Sequence, residues 1–192
     1  MRVLLAGLMV LILIAQGGTV ALAATPGAWQ TDTVPFTVTV VDATSDGMSP
    51  FIAQAAVEWS ASGIVNVVVV HGGCGKRGGA YTICSSPLGA DGAGANGAFS
   101  LTGFQYTHGF PYLKQVTTTF NDYWLGSQST FIDDGVRLWV ACHEMAYGLG
   151  EYFLNNPESA NTDTASCFSG NQGATAPAQS DFDRLSQEYP NP

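Results

Sequence analysis

The fold turns on one stretch, "ACHEMAYGLGEYF", Ala141 to Phe153, and on what precedes it, "FIDDGVRLWV". Val136, Val140, His143 and Tyr147 recur at spacings of four, three and four, which places them on one face of an α-helix. Asp133 or Asp134 supplies its N-cap. His143 and Glu144 stand side by side near the end of this helix, the two residue types that bind a metal and move a proton. A second ligand on the same side of a helix belongs four residues on, because a turn takes about 3.6 residues. That position is Tyr147.

Working outward, "PFTVTVVD" (Pro35–Asp42) alternates apolar and polar residues and reads as a strand with one buried face. In "MSPFIAQAAVEWSASG", Ser49 is the expected helix cap, with Pro50 in the first turn. Ile52, Ala55, Ala56 and Trp59 share one face, and Gly63 ends the element. "IVNVVVV" (Ile64–Val70) is β-branched and nearly continuous, the pattern of a central strand buried on both sides. Strand, helix and strand in this order predict a parallel pair with a crossover. From His71 to Gly97 the chain carries nine glycines in 27 residues, which reads as a long surface loop. "GAFSLTGFQY" and "LKQVTTTFND" are further strands, the first a candidate sheet edge. In "SDFDRLSQEY", Ser180 with Asp183 makes a capping-box pattern, and Phe182, Leu185 and Tyr189 give the last helix its packing face. The expected class is α+β, a twisted mixed β-sheet with about three helices.

The chain has 192 residues. Arg2, the apolar run "VLLAGLMVLILIA" and the small residues Ala21 and Ala23 read as a secretory signal peptide over residues 1–23. Residues 24–192 then form a single domain, secreted and extracellular, with no membrane association after signal removal. Fifteen acidic residues against six basic give a net charge of −9, and the basic residues are scattered apart from Lys76–Arg77. A nucleic-acid partner is therefore not expected. Cys74, Cys84, Cys142 and Cys167 form an even set in an exported chain, which favours disulfides over thiolate zinc. Three pairings are open. Cys74–Cys84 with Cys142–Cys167 is favoured, the first pinning the Gly-rich loop.

"H-E-M-A-Y-G-L-G-E-Y-F" resembles the metzincin zinc-binding motif H-E-x-x-H-x-x-G-x-x-H, with His143, Glu144 and Gly150 in register. The resemblance extends along about 150 residues, Pro35 to Tyr189, to matrixin-like bacterial secreted members. "AAVEWSASGIVNVVV" resembles their first helix and second strand, and "PAQSDFDRLSQEY" their closing helix. "ASCFSG" (Ala165–Gly170) stands where the family carries a methionine turn beneath the metal. The resemblance implies a metzincin-like (zincin) domain and zinc-dependent peptide-bond hydrolysis. It makes His143 a zinc ligand and Glu144 the general base that deprotonates a metal-bound water. By the same resemblance "GAFSLTGFQY" is the strand that faces substrate.

The sequence departs from that pattern at Tyr147, Phe153 and Phe168, which replace the second histidine, the third histidine and the methionine. Phenylalanine has no lone pair, and a tyrosine with a pKa near 10 is a poor ligand unless a metal is already held. The expected consequence is a lost or weakened zinc site, with Phe153 and Phe168 filling its volume. His143 then turns to the Tyr147 hydroxyl, and Glu144 stays solvated in the cleft. This makes the chain a pseudoprotease or peptide-binding domain whose partner is an extended peptide or protein. The alternative is an active zinc endopeptidase with a rebuilt site of His143 and Glu151 or Asp163. His71 and His108 read as surface or loop-packing residues.

Overall fold

A computed structural model describes residues 27–44, 47–75, 81–86, 99–107, 112–127, 129–130, 132–150, 163–169 and 171–190. Residues 1–23 expected as a signal peptide, and His108, Glu151 and Phe153, lie outside the described residues.

Among the described residues the elements in chain order are β1 (Phe36–Ala43), α1 (Ser49–Ser60), β2 (Val65–His71), β3 (Tyr81–Ser86), β4 (Ser100–Tyr106), β5 (Leu113–Asn121), α2 (Asp122–Leu125), α3 (Asp134–Leu149) and α4 (Gln179–Glu188). The strands form one sheet in the order β2-β1-β3-β5-β4. All pairings are parallel except β4 with β5, so the chain is mixed α/β with a mostly parallel sheet. No described helix is long and apolar enough to cross a membrane.

Alternation in β1 turns Phe36, Val38 and Val40 into the core. Helix α1 buries Ile52, Ala55, Ala56 and Trp59, as its spacing predicts, and the parallel β1–α1–β2 crossover forms. The two alanines leave room for α3 to lie close, and the Trp59 indole N–H donates to the Cys142 carbonyl at 3.1 Å. Ser49 is not the cap. Met48 occupies that position, and the Ser49 hydroxyl donates instead to the buried Asp42 carboxylate.

Two strands sit differently from the sequence reading. Among the described residues β2 ends the sheet, with Val68 and Val70 38% and 37% exposed, and is not a central strand buried on both sides. β-Branching favours the extended backbone wherever the strand lies and does not report a second covered face. Conversely, β3 arises inside the stretch read as surface loop and becomes the middle strand. Tyr81 pairs with Val40 on one side and Val116 on the other. "YTIC" is only four buried residues long, and its glycine-rich surroundings mask it.

Asp133 caps α3, its carboxylate accepting from the Val136 amide at 2.9 Å. The helix is buried from Trp139 to Leu149 and ends on Gly150, whose φ of 100° suits glycine. Near that end the Tyr81 ring lies against the backbone at Gly148. A Cβ there would stand 2.0 Å from Tyr81 Cε1. The terminal helix packs through Leu185 and Tyr189, with Phe182 edge-on to Trp59 at 6.3 Å. Its cap lies two residues earlier than the Ser180–Asp183 reading. Ala178 is the N-cap, and its amide donates to Asp181 at 2.7 Å. Ser180 reaches out to Asp163. Both favoured disulfides form, Cys74–Cys84 and Cys142–Cys167.

Replacing Gly148 with alanine tests the helix–sheet contact. Overpacking costs roughly 1–3 kcal/mol, against the ~1 kcal/mol that alanine gains inside a helix. The expected result is a clear drop in the urea midpoint. A midpoint at or above that of the parent chain would show that the Tyr81 ring does not rest on α3.

Candidate functional site

His143 and Glu144 are neighbours, so their side chains leave α3 about 100° apart and enter different surroundings. His143 turns toward the segment Ala165–Ser169. Its Nδ1 donates to the Cys167 carbonyl at 3.1 Å, which leaves the lone pair of the neutral ring on Nε2. Three rings surround the imidazole. Trp139 and Phe168 lie tilted at 5.2 and 5.5 Å, and Tyr147 meets it edge-on at 5.1 Å. Phe168 is fully buried and contacts Tyr147 edge-on at 5.4 Å. The hydrogen-bond partner of Nδ1 is thus a backbone carbonyl and not the Tyr147 hydroxyl. The reason is the Cys142–Cys167 bridge, which brings the Cys167 backbone next to the residue following Cys142.

Glu144 points to the sheet. It is 6% exposed, so the expected solvated carboxylate is absent. One oxygen accepts from Ser100 Oγ and the other from Thr102 Oγ1, two alternate residues of β4. A buried carboxylate needs such donors, because losing hydration without them is strongly unfavourable. Behind them Thr118 Oγ1 lies 2.6 Å from Thr102 Oγ1 and 2.9 Å from the Tyr81 hydroxyl, and its one proton serves one of the two at a time. The Tyr81 hydroxyl also donates to the Glu144 carbonyl at 2.7 Å. Burial first, and then the Glu144 charge, hold the Tyr81 phenol well above its ordinary value. It stays a neutral donor at any working pH.

The segment opposite His143 is held by α4. Ser166 Oγ donates to Asp181 at 2.8 Å and accepts from the Phe168 amide at 3.0 Å, while the Cys167 amide donates to Ala176 at 2.9 Å. Burial raises the Asp181 carboxyl above the usual range, partly offset by the Ala178 and Ser166 donors.

The structure therefore brings His143, Tyr147 and Phe168 together and turns Glu144 away from them, toward β4. It does not bring Asp163 or His71 to them. Asp163 accepts from the Ala165 amide and from Ser180, and those two donors, the amide foremost, lower its carboxyl. His71 ends the edge strand β2, exposed, with Nδ1 3.6 Å from Asp42. Zinc needs three or four convergent donors. Among the described residues no group of three or more His, Cys, Asp or Glu could hold a metal ion. Ser100, Thr102, Thr118, Tyr81 and Trp139 went unread in the sequence. Only Ser100 and Thr102 carried a signal, since their spacing of two sets them on one face of a strand. No protein-family model matches the chain, and no curated protein matches it.

Two measurements follow. Thr102→Val leaves one Glu144 oxygen without its donor and should destabilise the fold by about 1–3 kcal/mol. The loss should shrink when Glu144 is already glutamine, and strict additivity in that double-mutant cycle would show that the pair does not interact. Asp181 has a folded pKa above its unfolded one, so its contribution to stability is fully present below the unfolded value. That contribution is lost as pH rises through the raised folded value. Asp181→Asn should remove this fall, so that stability climbs more steeply with pH just above the ordinary aspartate range, and an unaltered curve there would contradict this.

Proposed function

We propose that this chain is a secreted, matrixin-like metzincin domain that does not hydrolyse peptides and instead binds them. The observation that carries the reading is Glu144. The residue that the resemblance makes the general base has both oxygens engaged by Ser100 and Thr102, inside a closed contact between α3 and β4. A general base must reach the proton it removes. Here it serves as a staple between helix and strand. Phe168 and Tyr147 against His143 support the same view, since aromatic volume stands where the resemblance puts metal ligands and a methionine.

A five-stranded sheet with one antiparallel strand beside the buried helix supports the metzincin-like fold. That strand, β4, ends the sheet among the described residues. Asn121 donates to the Phe99 carbonyl across the ladder, so alternate backbone groups of β4 point away from β5. Such an edge recruits an extended peptide by strand addition. Two disulfides agree with an oxidising, exported setting.

One feature favours the alternative of an active zinc endopeptidase with a rebuilt site. A metal-binding histidine commonly donates its second ring N–H to a carbonyl, and His143 Nδ1 does so.

The deciding experiment measures zinc in the purified mature chain and maps peptide binding by NMR in the presence of chelator. On this reading zinc is substoichiometric, Glu144→Ala leaves any residual proteolysis unchanged, and extended decapeptides shift the β4 amides with or without chelator. One tightly held zinc per chain, with proteolysis abolished by Glu144→Ala, would replace the reading with the rebuilt enzyme.

A further inference from the structure

At the end of the sheet away from β4, the outer edge of β2 carries an apolar patch that the His143–Glu144 site does not use. Among the described residues five large hydrophobic side chains are exposed, and three of them, Val57, Val68 and Val70, flank this edge. We propose that β2 pairs antiparallel with the β2 of a second copy of this chain, about a two-fold axis at Val69.

Two bonds at the ends of the β1–β2 ladder fix which backbone groups face outward. The Phe36 amide donates to the Ile64 carbonyl and the Gly72 amide to the Asp42 carbonyl, so the even-numbered residues of β2 face β1. Val65, Val67, Val69 and His71 therefore point their amides and carbonyls away from the sheet. The first two amides are already engaged. Ser60 Oγ accepts from Val67 at 2.9 Å, and Ser62 Oγ from Val65 at 3.5 Å. Among the described residues no acceptor meets the amides of Val69 and His71.

This half-guarded edge selects its occupant. A strand running the whole length of β2 would find the Val65 and Val67 donors taken. A second copy centred on Val69 uses the open ones. The two Val69 residues exchange both backbone bonds, and each His71 amide meets the Val67 carbonyl of the other copy. The same register sets Val68 opposite Val70 of the other copy, with Cβ atoms about 5 Å apart. Both valines are more than a third exposed in the single chain, and the pairing covers them.

The charges also suit two like copies here. The chain carries a net charge of −9, so most faces would bring acid against acid. Between Glu58 and Lys76 there is no Asp, Glu, Lys or Arg, and β2 lacks the charges that commonly guard a sheet edge. Ser60, by reaching Val67, marks the flank of α1 that overlooks the edge. Val57 lies three residues earlier on that flank, and Glu58 turns about 100° away from it. With the axis normal to the sheet, both α1 helices stand on one face and turn their Val57 flanks toward each other.

Sedimentation velocity on the purified mature chain over a wide concentration range reads the mass, and hydrogen exchange at high and low concentration reads the edge. A reversible monomer–dimer equilibrium is expected, with the Val69 and His71 amides protected only in the dimer. Val68→Lys with Val70→Lys sets like charges opposite each other and should weaken the dimer by about tenfold or more. Val68→Lys with Val70→Glu sets opposite charges there and should recover most of that loss. Both positions are exposed, so each variant should melt close to the parent monomer. A monomer at every concentration would overturn the proposal. In it, Val69 and His71 amides already protected would show that the chain covers its own edge, and protection gained on adding an extended peptide would name a foreign strand instead. A dimer that the like-charged variant leaves unchanged, or that the oppositely charged variant does not recover, would overturn the proposal too.

Discussion

The contact between the Tyr81 ring and the bare backbone at Gly148 sets the position of α3 on the sheet. A side chain at 148 would collide with the ring, so helix and strand approach more closely than two ordinary side chains permit. The ring is fixed in turn by its hydroxyl, which donates to the Glu144 carbonyl and contacts Thr118. A slip of one residue in β3 would send Tyr81 to the other face of the sheet and undo all three contacts. The register of the middle strand, the depth of α3 and the direction of Glu144 are therefore one constraint.

Once α3 is seated, its adjacent polar residues are divided between two environments that have little in common. Glu144 meets a strip of hydroxyls on β4 and β5, each oxygen matched to a donor. His143 meets rings and a carbonyl supplied by the segment that the Cys142–Cys167 bridge draws in. That segment is anchored a second time through Ser166 and the buried Asp181 of α4. The disulfide contributes roughly 3 kcal/mol by restricting the unfolded chain. Its larger effect on the site is geometric, since it decides which carbonyl the imidazole finds.

Much of this fold could be read from the sequence because its periodic elements are long. Helices α1, α3 and α4, the parallel β1–β2 pair and the β4 edge all carry a spacing of hydrophobic residues that survives inspection. β3 was hidden because a central strand needs only a few buried residues when both neighbours complete its ladder, and glycines dominate the composition around it. β2 was misplaced because its β-branched run reports extended backbone and not the number of covered faces. Within the site, His143, Glu144, Tyr147 and Phe168 were legible from helix spacing and from resemblance. Their partners were not. A carboxylate has no sequence-local preference among hydroxyls, and Ser100, Thr102 and Tyr81 reach Glu144 from 42 to 63 residues away. The Cys167 carbonyl that holds His143 belongs to the backbone and leaves no trace in residue identity.

The same contacts that satisfy Glu144 oppose its use as a base. A hydrogen bond to a charged acceptor contributes about 1.5–3 kcal/mol net of what water would supply. Releasing both oxygens therefore costs on the order of 3–6 kcal/mol, which leaves at most about one molecule in a hundred with the carboxylate free. A metal held by convergent ligands could offset that penalty by drawing the carboxylate toward a bound water. Among the described residues nothing beyond His143 converges on such a position. Stability and catalysis thus compete for one side chain, and in this arrangement the hydroxyls of β4 hold it. The closed contact between α3 and β4 is the form the fold takes when Glu144 must be satisfied from within.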